Sequence, residues 1–154
     1  MTNKLTNKIA STTLATLALT TALLSQSLIM PSAHASDISF EISGVKGDGK
    51  LYVQLFKGEQ NYQRNNADNA TIVKAKSGIT TVSFADVDEG EYALRFFHDE
   101  DGNGKMATNL FGMPTEGYGF SNNAKPNFGP VAYSEIKFVV ADNEKIINKT
   151  EVIY

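Results

Sequence analysis

Residues 91–98 read EYALRFFH, and this run decides the fold. Tyr92, Leu94, Phe96 and His98 fall on one face of an extended chain, with Ala93, Arg95 and Phe97 on the other. The period is two, which predicts a β-strand rather than a helix. Asp88-Glu89-Gly90 just before it supplies a turn, because these residues tolerate positive φ. Just after it begins a long stretch rich in Gly, Asn and Asp, His98 to Asn123, reading HDEDGNGKMATNLFGMPTEGYGFSNN.

Working outward, the same alternation recurs. Ile38, Phe40 and Ile42 alternate with Ser39, Glu41 and Ser43, and Leu51, Val53 and Leu55 alternate within 50–57. Gly47-Asp48-Gly49 lies between these two runs and predicts a hairpin. Residues 58–70 are polar and aperiodic, which suits a surface loop with a helical turn. Strand patterns return at 71–76, at 80–87 with Val82 and Phe84 inward, and at 132–140 with Ile136, Phe138 and Val140 together. Asp142-Asn143 turns the chain into 145–154, where Ile146, Val152 and Tyr154 share a side. No run sustains a helical period. About seven short strands punctuated by turns predict an all-β protein, an antiparallel β-sandwich with one long loop.

The first 35 residues carry a different pattern. Lys4 and Lys8 precede an apolar run from Ile9 to Met30, and Ala33-His34-Ala35 has the small-x-small form of a cleavage site. The expectation is a signal peptide over 1–35 and one domain over 36–154. Taking 35 from 154 leaves 119 residues, enough for a single core. Loss of Lys4 and Lys8 takes the basic residues from 14 to 12 against 17 acids, a net charge of −5. That balance argues against nucleic acid and anionic membrane surfaces as partners. There is no cysteine, which removes a lipid attachment site, zinc–thiolate clusters and a thiol nucleophile. An exported chain of this kind is expected in the periplasm or secreted from a bacterium, with no stable membrane anchor once the signal is cleaved.

Within the long stretch, Asp99, Asp101 and Asn103 place side-chain oxygens at every second position, followed by Gly104 and the carbonyl of Lys105. This is the opening of a calcium loop, matching positions 1, 3, 5, 6 and 7 of an EF-hand. The bidentate glutamate at position 12 is replaced by Leu110 and a strand leads in, so it is no EF-hand. Asn109 and Glu116 are the candidates to complete the shell around calcium, and the competing reading is a tight Asp/Asn/Gly turn that binds nothing. Phe111, Tyr118 and Phe120 interleave with glycines, and with His98 and Asn122 they form a candidate ligand surface for a saccharide or a protein partner. The alternative is that these aromatics fold back as a small satellite core. His98 reads either as a strand-end structural residue or, with Asp99 or Glu100, as the base of a hydrolase-like site.

The strand preceded by Glu89-Gly90, the HDEDGNGKMATN run, the GMPTEGYGFSNN block and the Phe128-Gly129-Pro130 turn together resemble the bacterial DUF2141 family, a domain of unknown function. Asp101 stands where that family commonly has Asn, and Ala107 where it commonly has Asp. The resemblance implies an exported sandwich like transthyretin or Cna-B domains. It carries over no catalytic residue.

Overall fold

The structure, a computed structural model, describes residues 36–127 and 129–154; the expected signal peptide lies outside them. Eight strands form two facing sheets. One is β4(Gly78–Val87)–β1(Ser36–Val45)–β8(Lys145–Glu151); the other is β3(Asn69–Lys74)–β2(Lys50–Lys57)–β5(Gly90–Asp99)–β6(Tyr118–Phe120), with β7(Lys137–Val140) also on β5. Ile38, Phe40 and Ile42 of β1 meet Leu51, Val53 and Leu55 of β2 across a dry core, all 1% exposed or less. The alternation read from sequence is thus the alternation between core and surface.

Three local expectations are corrected. β1 and β2 are not a hairpin: β1 pairs with β4 and β8, β2 with β3 and β5, so Gly47-Asp48-Gly49 arches from one sheet to the other. Two half-apolar strands bury more by facing each other than by lying side by side. The sandwich is also not purely antiparallel, because β1 and β8 run parallel, Ile38 beside Ile146 and Ile42 beside Thr150. Finally, the 132–140 run splits into a helical turn, α2(Tyr133–Ile136), and β7. A second short helix, α1(Glu59–Gln63), fills the polar segment after β2.

β5 organises the larger sheet. Along one side it pairs with β2 for its whole described ladder, Lys50 with Asp99 through Lys57 with Tyr92. Its other side is shared end to end: β7 covers Gly90 to Ala93 and β6 covers Arg95 to Phe97. Leu94 falls at the junction, where its N–H donates to the buried Ser121 hydroxyl at 3.0 Å, and that hydroxyl donates to the Ile136 carbonyl. A small outer cluster of Ala93, Val131, Tyr133 and Ile136, with Tyr62 and Phe120 against it, covers this end of the sheet.

Candidate functional site

The glycines of Glu116-Gly-Tyr-Gly-Phe120 explain how β6 is seated. A Cβ at Gly117 would sit 2.6 Å from Val152 and Tyr154, and one at Gly119 would sit 2.5 Å from the Phe96 ring. Both positions face inward against side chains that leave no room. Tyr118 and Phe120 therefore face outward, and the long stretch is divided: His98 and Asp99 end β5, and Tyr118–Phe120 is an edge strand rather than loop.

Between them, residues 100–117 form the loop proper, and carboxylates build its frame. Asp99 is fully buried and its Oδ2 accepts from the Gly104 N–H at 3.1 Å. Asp101 accepts from the Asn103 N–H at 3.0 Å, and Asn103 Oδ1 from the Lys105 N–H at 2.7 Å, successive turns that curl the chain around Asp99. Glu116 reaches back from the far end, accepting from the N–H groups of Glu100 and Ala107, both at 2.9 Å. Asp99, Asp101 and Glu116 each offer an oxygen within 4.8 Å of the others. Asp99 Oδ1 is buried and has no hydrogen-bond partner.

The acids that converge are not the adjacent three. Glu100 turns away, accepting from the Gly117 N–H at 3.2 Å. Asn109 is engaged elsewhere: its Oδ1 caps the 109–113 turn, accepting from the Phe111 and Met113 N–H groups. Glu116, seventeen residues after Asp99 in no recognisable spacing, is brought in only because β6 returns to β5.

His98 is fully buried with both ring nitrogens engaged. Nε2 lies 3.0 Å from the Asp48 carbonyl, which can only accept, so Nε2 carries the proton. Nδ1 lies 2.8 Å from the Tyr154 hydroxyl, which accepts from the Lys46 N–H, and 4.0 Å from Glu100 Oε1. A hydrolase base needs an open ring nitrogen facing solvent or substrate. His98 has none, so neither the hydrolase arrangement nor a direct ligand contact fits its placement. Asn122 is likewise a structural link, donating to the Glu135 and Lys137 carbonyls and exchanging bonds with Asn148.

The aromatics divide. Phe111 is 91% exposed at the loop tip, which rules out the satellite-core alternative for it, whereas Phe120 packs on the outer cluster. All three of Phe111, Tyr118 and Phe120 line a cavity of about 1070 Å³ on the outer face of the five-stranded sheet. Its floor is two rungs running across β2, β5 and β6: Tyr52–Phe97–Tyr118 and Gln54–Arg95–Phe120. Tyr52 and Phe97 stack at 4.8 Å, with their planes 10° apart. Met106, Met113 and Pro114 of the loop form a wall.

Arg95 was not singled out from sequence. An outward arginine on a strand usually faces water, and only the aromatic neighbours in register with it hint otherwise. Its Nε and Nη2 donate to Gln54 Oε1 at 2.9 and 2.8 Å, and Nη2 also to Asn65. Burial pulls its pKa below the ordinary arginine value. Among the described residues no carboxylate forms an ion pair with it, and no acid lines the cavity.

A family of bacterial proteins, described as "Uncharacterized protein conserved in bacteria (DUF2141)", matches residues 40–148. The chain therefore belongs to the DUF2141 family, and its fold is an all-β sandwich. No curated protein and no solved structure matches it.

Proposed function

We propose that this chain is an exported, non-enzymatic binding module, periplasmic or secreted, in which a calcium ion orders the 99–116 loop and that loop walls the ligand cleft. The observation that carries the reading is the Asp99 carboxylate, wholly buried with one oxygen unpartnered beside Asp101 and Glu116. Burying a carboxylate without a full set of partners is costly, and three together add mutual repulsion. A divalent cation removes both penalties. An all-oxygen donor set suits calcium, which takes six to eight oxygens; Asn103, the Lys105 carbonyl and waters are the candidates for the remainder. With two of the three carboxylates buried, the third exposed, and waters filling out the shell, affinity is expected in the extracellular class, about 10⁻⁴ to 10⁻³ M.

The same loop supplies Met106, Met113 and Pro114 to the cleft, which couples the ion to the ligand surface. Isothermal titration of the purified protein with calcium tests this. One site in that range, lost in Asp99→Asn, supports the reading; no heat in wild type overturns it.

A further inference from the structure

Arg95 is the one charged group at the floor of the cleft, half-buried beneath aromatics, with no acid lining the cavity. The guanidinium lies over the Phe56 ring, 5.0 Å from its centroid, and Gln54 and Asn65 offer neutral oxygens, so it is held in place without a full counter-charge. Nη1 has no hydrogen-bond partner among the described residues. The Tyr52–Phe97 stack on the adjacent rung and the Tyr118–Phe120 edge-to-face pair along β6 present flat apolar surface beside it. The cavity volume is that of a small-molecule site.

We infer that the cleft binds a small molecule bearing a carboxylate or sulfonate on a flat apolar body, its anion on Arg95 and its body on the aromatic rungs. This deepens the binding-module reading and rests on it, but not on the cation: charge selection is set by the sheet, whose rungs are in place whatever the loop holds.

Two fluorescent probes that share one aromatic skeleton test it. Anilinonaphthalene sulfonate carries an anion; N-phenylnaphthylamine lacks it. Wild type should prefer the sulfonate by at least about tenfold, the scale of a charge-assisted hydrogen bond in a partly dry site. Arg95→Met should bring the ratio of affinities to about one, and Arg95→Lys should keep part of the preference. Should Arg95→Met fail to fold, Met113→Glu decides, because Met113 is exposed and a carboxylate on the loop wall opposes the sulfonate. Equal affinities in wild type, or a preference that survives Arg95→Met or Met113→Glu, overturns the inference. Titrations in EDTA and in calcium separate the two claims. A preference without any calcium response fails the cation alone, and a calcium response without a preference fails the charge-selective cleft alone.

Discussion

The Ser121 hydroxyl satisfies two buried backbone groups, the Leu94 N–H and the Ile136 carbonyl, at the gap where β6 hands over to β7. Ser121→Ala leaves both unsatisfied and should cost about 2–4 kcal/mol, since each orphaned buried group costs ~1–3 kcal/mol. Urea denaturation of the variant measures it. Tyr133 behaves oppositely. Its buried hydroxyl makes no hydrogen bond of full geometry and interacts only weakly with Glu91, so Tyr133→Phe should change stability by no more than ~1 kcal/mol at neutral pH. Burial first, then the nearby Glu91 charge, pushes its pKa from 10 up to about 12. The fold thus holds this proton more tightly than the unfolded chain does. Its contribution is intact below pH 10 and lost as pH rises through about 12. Urea melts across that window should show a shallower alkaline decline in Tyr133→Phe than in wild type.

Among elements, β6 is only three residues long and depends on its glycines. Gly119→Ala drives a methyl into the Phe96 ring and should destabilise the protein by ~1–3 kcal/mol, the cost of overpacking. Tyr118→Ala, whose side chain is half-buried on the outer face, should cost less by the same denaturation assay. The strands themselves were legible in the sequence because each buries one face, and EYALRFFH shows that face unbroken. Their partners were not. Gly47-Asp48-Gly49 announces a reversal, but a turn of glycines does not say whether the next strand joins the same sheet or the opposite one. The site was legible in the same uneven way. Asp99 and Asp101 declare themselves by spacing and Glu116 joins them, while Asn109 is drawn off by its own turn and Arg95 looks like an ordinary surface charge.

At the scale of the described domain, the sandwich is a platform that holds a loop with two faces. One face gathers carboxylates and the other walls an aromatic cleft, and under the proposed reading an ion held at the first would bear on the second. The proposed export would suit a calcium site of that affinity, because millimolar calcium occurs outside the cytoplasm. N-terminal sequencing of the protein recovered from its native compartment should begin Ser-Asp-Ile-Ser; a chain starting at Met1 contradicts export with cleavage after Ala35.

The central claim is that calcium organises the 99–116 loop, and thermal unfolding in excess EDTA against 10 mM calcium tests it most directly. A native-state ligand at ten times its dissociation constant adds about 1.4 kcal/mol, which for a domain of this size raises Tm by several degrees. Wild type should show that rise and Asp101→Ala should lose most of it. Asp99→Asn carries a further signature: with a buried charge removed, it should melt higher than wild type in EDTA and no longer respond to calcium. A wild-type Tm that is the same in both buffers, or an equal calcium shift in Asp99→Asn, contradicts the account.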